Sequence, residues 1–270
     1  MGLVKNFSIG ILGTGLMVLA TAAQAKAVTL TYDRSIGSPG FGPGELFVPQ
    51  GIAVDSQGNT LIANGRGINP ADGTPNFDLG NKIEIFNPSG QYIGAIGSGG
   101  TGPGQFDEPT TVDFNPVTGD LYSGDVYNNR INQFDSQGNF IRSFANGDFT
   151  PRVNDRIFFG PSGLTFDKTG NVYVGDFNGE RILKFTPDGQ PIGVIGGALG
   201  TAPGEFQGVA GIRISPVSGN IFVADQYNNR VQVLDPTGNP LLAFGSAGSG
   251  PGQLLQPLHR SGRTRECLCS

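Results

Sequence analysis

Short apolar runs separated by turn residues dominate the chain from about residue 42 onward. Residues 51–55, 163–167 and 221–224 are three such runs, and most of their positions are apolar. No window holds a sustained apolar period of 3.6 residues, so long helices are not expected. Runs that are apolar on both faces predict short strands in sheets that are covered on both sides.

The apolar runs recur in a repeat of four strands. Each copy begins with a Gly-rich leading turn, which is clearest at residues 42–46, 102–106 and 202–206, while residues 157–159 take its place in the third copy. Two strands joined by a Gly-Asn or Gly-Asp hairpin turn follow. A polar link then runs from an Asp to an Arg five residues later, and two further strands complete the repeat.

The period of the repeat is given by the arginines that end the polar links. Arg130 and Arg181 are 51 residues apart, and Arg181 and Arg230 are 49 residues apart. Four short strands in each period of about 50 residues predict one blade of a β-propeller.

Residues 221–231 read Ile-Phe-Val-Ala-Asp-Gln-Tyr-Asn-Asn-Arg-Val. This segment resembles the signature of the NHL-repeat family, in which a strand ending in Ala-Asp is followed by Asn-Asn-Arg and a further strand. The resemblance recurs four times over about residues 42–253. It implies an all-β fold, a β-propeller of NHL-type four-stranded blades. The blades are expected at about residues 42–101, 102–156, 157–201 and 202–249.

The first repeat departs from the pattern. Asn64 takes the position of the Asp and Lys82 that of the Arg, and they lie 18 residues apart. About 13 extra residues, near 65–79, are therefore expected to form a loop. Long loops in compact domains tend to be functional, so this segment is the candidate interaction loop, with Asp72, Phe77 and Asp78 as its candidate contact residues. An unconstrained insertion is the alternative.

The N-terminus has the three parts of a secretory signal. Lys5 gives a cationic start, an apolar stretch covers about residues 7–20, and Ala23-Gln24-Ala25 offers a cleavage point. The apolar stretch is shorter than the roughly 20 residues that a membrane span needs. We therefore expect a signal peptide at residues 1–25, an exported protein (periplasmic, extracellular or on the cell surface) and no stable membrane span after its removal.

The two ends of the repeat region differ from the blades. Residues 28–36 predict a single N-terminal strand, and residues 250–257 open a fifth repeat. The pattern stops there, and the aberrant tail at 258–270 holds the only histidine and both cysteines. Shifting the reading frame by one base can turn residues 266–270 into a blade-like Asn-Val-Tyr-Val-Ala, so we expect a frameshift or truncation after about Pro257.

The resemblance implies how many blades the ring has. Rings of this family most often have six blades, whereas this sequence supplies about four complete blades, the N-terminal strand and a C-terminal stub. The expected fold is therefore an open or incomplete ring, and a full-frame protein would have six blades.

The recurring Asp and Arg could form a ring of functional charge or could build the blades. An Asp after a strand can accept backbone N–H groups of the following turn, and an Arg can pair with that carboxylate. Because every blade would need such a pair, we expect a structural role. The residues concerned are Asp125, Arg130, Asp176, Arg181, Asp225 and Arg230.

Charge and composition narrow the function. The net charge is −5, and the densest basic cluster lies in the aberrant tail, so a nucleic-acid partner is not expected. The resemblance implies a rigid propeller that displays loops to partners, here an extracytoplasmic protein, peptide or glycan. We therefore expect a non-catalytic binding scaffold without a cofactor.

An enzyme is the alternative function, since some related propellers are metal-dependent lactonases or lyases. His259, the only histidine, lies in the aberrant tail, so a histidine-based metal site is not expected. Side chains with oxygen ligands for Ca²⁺ are plentiful in the sequence. A calcium-dependent hydrolase, lactonase or lyase-like enzyme therefore remains the alternative function.

Overall fold

The computed structural model describes residues 33–69, 71–153 and 159–254. The predicted signal peptide, the aberrant tail and residues 28–32 of the predicted N-terminal strand lie outside these ranges. Residues 33–36, the described part of that strand, form no strand, so this part of the prediction is wrong. Among the described residues there is no helix of the length and apolar character that a membrane crossing requires.

Short strands make up almost all of the regular structure, and four of them form each sheet. In chain order the strands are β1 (Ser38–Pro39), β2 (Glu45–Leu46), β3 (Pro49–Val54), β4 (Thr60–Ile68), β5 (Pro75–Phe86), β6 (Tyr92–Ile96), β7 (Ser98–Gly99), β8 (Gln105–Phe106), β9 (Pro109–Phe114), β10 (Leu121–Asp125), β11 (Arg130–Phe134), β12 (Phe140–Phe144), β13 (Pro161–Phe166), β14 (Val172–Asp176), β15 (Arg181–Phe185), β16 (Pro191–Gly196), β17 (Val209–Ile214), β18 (Ile221–Asp225), β19 (Arg230–Leu234) and β20 (Pro240–Phe244). One 3₁₀ turn, Gln226–Asn228, follows β18.

Four antiparallel four-stranded sheets are the blades of the fold. Blade 1 is β3 to β6, blade 2 is β9 to β12, blade 3 is β13 to β16 and blade 4 is β17 to β20, each in meander order. The first strands of consecutive blades contact one another, from β3 through β9 and β13 to β17, so they surround a common axis. The predicted all-β propeller architecture of four-stranded antiparallel blades is confirmed.

The core lies between the blades. One apolar cluster joins blades 1 and 2 and includes Ala63, Ile83, Val112 and Leu121. Equivalent clusters join blade 2 to blade 3 and blade 3 to blade 4. Each fully buried large apolar side chain contributes about 1.5–3 kcal/mol, so a blade is stabilised mainly by its neighbours.

The extra residues of the first repeat form strands, and the expectation of a loop near residues 65–79 is wrong. β4 runs on to Ile68 and β5 begins at Pro75, so the two strands continue beyond the blade as an extended hairpin, residues 65–81. Its tip is closed by the Asn69 N–H, which donates to the Thr74 carbonyl at 2.7 Å. Continued pairing satisfies backbone groups that an open loop would leave to water.

Left-handed residues in the polar links join each blade to the next. Asn81, Asn129 and Glu180 have φ between 51° and 54° and stand directly before the Lys or Arg of their links. The Asn81 Oδ1 accepts the backbone N–H of Glu108 at 2.9 Å, and Glu180 accepts that of Gly208. In both cases the donor lies just ahead of the first strand of the following blade, so these side chains fix neighbouring blades together.

Candidate binding site at the channel mouth

The structure brings the three predicted Asp–Arg pairs together, each within one blade. The Arg130 Nε lies 3.0 Å from Asp125 Oδ2, and the corresponding distances are 2.9 Å for Arg181 and Asp176 and 2.8 Å for Arg230 and Asp225. All three carboxylates are fully buried. They therefore form no exposed ring of charge.

The other guanidinium N–H groups hold the leading turns. Those of Arg130 donate to the carbonyls of Thr101, Gly102 and Gln105 at 2.8–3.0 Å. Those of Arg230 donate to the corresponding turn of blade 4. A link arginine thus ties the second and third strands of its blade to the turn that leads into it.

Each aspartate takes its strongest backbone donor from ahead of the blade, not from the turn that follows it. Asp125 accepts the N–H of Asp107 at 2.7 Å, and Asp176 accepts that of Thr150 at 3.0 Å. From the following turn, Asp176 accepts the backbone N–H of Gly179 at 3.3 Å, whereas Asp125 and Asp225 accept the side-chain amides of Asn128 and Asn228. Thr150 therefore takes in blade 3 the position that Asp107 takes in blade 2, and residues 157 and 158 of the predicted leading turn lie outside the described residues.

In blade 1 an amide stands where the other blades have the link aspartate, and a carboxylate stands where blade 2 has an amide on its third strand. In blade 2, Asn132 donates to the carboxylate of Asp125 at 3.2 Å. In blade 1, Asn64 stands in the aspartate position and accepts the N–H of Phe47 at 3.0 Å. Glu84 then occupies the position of Asn132, is fully buried and lies 3.1 Å from the Lys82 Nζ. The presence of Glu84 two residues after Lys82 was a signal that the sequence analysis missed.

A cavity of about 520 Å³ opens where the first strands begin. Its walls come from the starts of β3, β9, β13 and β17 and from the polar links that follow the second strands. We call it the channel mouth. The residues that matter below are Gln50, Glu108, Tyr127, Phe159, Ser162 and Phe177.

Aromatic rings line one side of the channel mouth. Tyr127, 43% exposed, meets Phe159 edge to face with ring centroids 4.9 Å apart. The guanidinium of Arg66 lies over the Tyr127 ring, 3.9 Å from its centroid. Arg66 belongs to the extended hairpin, so this element reaches across to blade 2.

Glu108 lines the channel mouth, and its chain neighbour Asp107 has a carboxylate with a different partner. Asp107 is paired with Arg66, whose Nε lies 2.8 Å from Oδ1 and whose terminal nitrogen donates to Oδ2 at 3.0 Å. Glu108 accepts a hydrogen bond from the neutral amide of Gln50 at 2.8 Å. Burial raises the pKa of the Glu108 carboxyl group, although the Gln50 hydrogen bond and the charge of Arg66 oppose this shift.

A second cavity of about 420 Å³ runs along the middle of the first strands and shares Gln50, Thr110 and Ser162 with the channel mouth. The backbones are close here: a Cβ on Gly51 would lie 2.8 Å from the Thr110 carbonyl oxygen. Farther along the first strands, Arg213 of blade 4 pairs with Asp113 of blade 2.

The predicted contact residues of the first repeat lie in the extended hairpin and do not line the channel mouth. The Asp72 carboxylate accepts the Thr74 hydroxyl at 2.7 Å, Phe77 is 41% exposed, and Asp78 is exposed. Over the described ranges, no group of three or more His, Cys, Asp or Glu side chains is placed to hold a metal ion. Glu108, Tyr127 and Phe159 were not predicted as site residues from the sequence.

Comparison with known proteins supports the fold. No family model matches the chain. Protein brain tumor of Drosophila melanogaster, an NHL-repeat protein, is 24% identical over 168 residues, which are 62% of this chain and 14% of that protein. A structure of a nidogen/laminin complex contains a similar chain, with 21% identity, a TM-score of 0.54 and coverage of 74% of this chain and 64% of that chain.

Hydrazine synthase of Kuenenia stuttgartiensis contains a further similar chain, with 16% identity and a TM-score of 0.51. The match covers 80% of this chain and 52% of that chain. This chain therefore spans between about half and two-thirds of the length of these two structures, and a much smaller part of the fly protein. At these identities the structural likeness is one of fold.

Proposed function

We propose that this chain, an NHL-type β-propeller, is an exported, non-catalytic scaffold that binds a protein, peptide or glycan at the channel mouth. The observation that carries the proposal is a cavity of about 520 Å³ with aromatic walls, built on the ends of rigid strands. Cavities of this size with a few convergent polar groups are the usual form of a ligand site. The export part of the proposal is supported by the signal pattern of residues 1–25.

Two features support binding in preference to catalysis. The charged groups in and around the channel mouth are mostly paired, as Arg66 is with Asp107, so they are engaged in holding the structure. The similar nidogen chain was solved in a complex with laminin, which supports the use of such a propeller as a docking platform.

A capture experiment tests the proposal. The full chain is immobilised and exposed to extracytoplasmic extract, and captured material is compared between wild type, Tyr127→Ala and a deletion of residues 66–79. Tyr127 is half exposed at the channel mouth, so Tyr127→Ala should abolish capture. Val217→Ala is the control, because Val217 is 96% exposed in the hairpin turn at the opposite end of the first strand.

Unchanged capture by Tyr127→Ala and by the deletion would contradict the proposed site. The enzyme alternative is tested separately by metal analysis of the purified chain. Calcium bound in stoichiometric amount, together with hydrolysis of a lactone substrate, would contradict a non-catalytic role.

A further inference from the structure

We propose that the channel mouth binds the cationic side chain of a peptide, a lysine or an arginine, with Glu108 as its counter-charge and Tyr127 and Phe159 as its apolar walls. This inference rests on the proposed function, because it names the ligand class of the same cavity. Three observations support it: the left-handed backbone conformation of Glu108, the unbalanced charge of the cavity and the aromatic rings of Tyr127 and Phe159.

Glu108 stands at a backbone position that favours glycine. Its φ is 68°, in the left-handed region. Gly160 and Gly208, with φ of 67° and 80°, are its equivalents in blades 3 and 4, since each directly precedes the first strand of its blade.

The hydrogen bonds confirm this equivalence. The carbonyls of Glu108, Gly160 and Gly208 each accept the N–H of the residue that follows the link aspartate. A left-handed conformation costs free energy for any residue with a Cβ and costs glycine nothing. In blades 2 to 4 the local geometry therefore favours glycine, so the glutamate points to a role for its side chain, which contacts Gln50 at the cavity.

The charges of the channel mouth leave one carboxylate without an opposite charge of its own. Arg66 is paired with Asp107, and Arg230 with Asp225. Glu108 makes no ion pair with any residue in the described part of the chain, and its polar partner there is the neutral Gln50. Of the charged residues that line the cavity, Arg230 and Asp225 pair with each other, which leaves a formal charge of −1 on Glu108.

A cation entering the cavity would supply the missing charge. Burial has removed part of the hydration of the Glu108 carboxylate, which is why its pKa is raised. A charge-assisted hydrogen bond from an ammonium or guanidinium group would replace that hydration.

The aromatic rings suit a cation as well. Arg66, stacked 3.9 Å from the Tyr127 centroid, already shows that this ring accepts a guanidinium group on one face. Phe159 meets Tyr127 at 83°, so the two rings form an angled apolar wall for the methylene stem of a long side chain. The volume of the cavity, about 520 Å³, fits one side chain with part of its backbone.

The test uses short acetylated and amidated peptides, Gly-Lys-Gly and Gly-Arg-Gly, titrated into the ¹⁵N-labelled full chain and followed by NMR. Matched neutral peptides carry norleucine or citrulline in the central position. Saturable shifts at the amides of Glu108 and Tyr127 are expected with the cationic peptides and not with the neutral ones. Glu108→Gln and Glu108→Gly should each weaken binding about tenfold or more, the loss expected for a charged hydrogen bond.

The glycine variant separates binding from folding. Because glycine suits a φ of 68°, Glu108→Gly should unfold at the same denaturant concentration as wild type or at a higher one while it loses the peptide. Asp188→Asn is the control, since it removes an exposed carboxylate in the turn between β15 and β16, whose residues do not line the cavity. It should bind the cationic peptides as wild type does.

Three results would overturn the inference: neutral peptides that bind as tightly as cationic ones, wild-type affinity in Glu108→Gln, or wild-type affinity in Glu108→Gly. If Tyr127→Ala abolishes capture of a partner while both Glu108 variants capture it normally, the scaffold function stands and the cationic ligand class is wrong. If none of these variants changes capture, both the proposed binding site and the proposed ligand class are wrong.

Discussion

Buried aspartates are the residue-scale feature that most clearly distinguishes the polar links from ordinary surface loops. Asp125, Asp176 and Asp225 are fully buried and collect their donors from three directions: a backbone N–H ahead of the blade, the link and the arginine that ends it. Such a carboxylate is costly to leave without its counter-charge, because water cannot replace the lost partner.

Arg181→Ala tests this role. The substitution leaves the Asp176 carboxylate buried without its cation and releases the Asp148 carbonyl, so we expect a loss of roughly 3 kcal/mol in the free energy of unfolding. Urea titration measures it. Arg142→Ala, which removes an exposed arginine that donates to the Asp188 carbonyl, should cost less than about 0.5 kcal/mol. Equal midpoints for the two variants would show that the pair does not stabilise the fold.

Glu108 gives the proposed peptide binding a pH dependence. Binding requires the ionised carboxylate, and burial raises the pKa of this group, so affinity should begin to fall at a pH above the ordinary range of a glutamate as the solution is acidified. The Glu108 carboxylate is also influenced by Arg66, Asp107 and Gln50. Burial raises the pKa of the Asp107 carboxyl group as well. Protonation of Asp107 would leave the charge of Arg66 uncompensated and so strengthen its repulsion of a bound cation. Peptide titrations between pH 4 and 8 measure the effect. An affinity that is constant over this range would contradict the role of Glu108.

The extended hairpin shows what decides the shape of an element that departs from a repeat. Gly67 and Gly80 lie where its strands are closest, and a Cβ on Gly67 would overlap the carbonyl of Leu79. Arg66 then anchors the hairpin to blade 2 through Asp107 and Tyr127. The composition of this segment predicts a loop. The close approach of its two backbones at Gly67 and the contacts of the Arg66 side chain instead stabilise a pair of strands.

Gly67→Val should open the hairpin without unfolding the blades. The valine side chain cannot share the space of the Leu79 carbonyl, so pairing beyond about residue 65 is expected to be lost. Hydrogen exchange followed by mass spectrometry should show faster exchange in peptides from residues 66–81 and unchanged exchange in blades 3 and 4. Gly94→Ala is the control, because a Cβ there meets no atom within 4 Å. Unchanged protection of the hairpin would contradict the role given to Gly67.

At the scale of the whole molecule, stability comes from blade stacking, and blade 4 shows what happens without it. Phe144, which ends the fourth strand of blade 2, is 7% exposed because blade 3 covers it. Phe244 ends the fourth strand of blade 4 and is 51% exposed. Leu241 and Leu242 of the same strand are exposed to a similar degree. The same sequence position is therefore core in one blade and surface in another within the described residues.

Alanine substitutions at these two phenylalanines measure the effect of stacking. Phe144→Ala removes a ring packed against Tyr122 and Phe185 and should cost about 3–5 kcal/mol in the free energy of unfolding. Phe244→Ala removes a half-exposed ring and should cost about 1 kcal/mol. Chemical denaturation of both variants gives the comparison. Similar losses would mean that the face of blade 4 is covered in solution.

The sequence by itself determined the blades. Strand positions, hairpin turns and the five-residue spacing that pairs Asp125 with Arg130 are local properties, fixed by apolar periodicity and turn chemistry within one repeat. The apolar character of both strand faces also showed that blades must cover one another.

Only the tertiary structure decided the site. Gln50 belongs to the first repeat, Glu108 and Tyr127 to the second and Phe159 to the third, and their meeting depends on how first strands pack around the axis. The reach of Arg66 into blade 2 likewise follows from a contact between blades. A repeat pattern fixes what each blade is, but the distance between side chains of different blades is set by stacking geometry, which no local periodicity encodes.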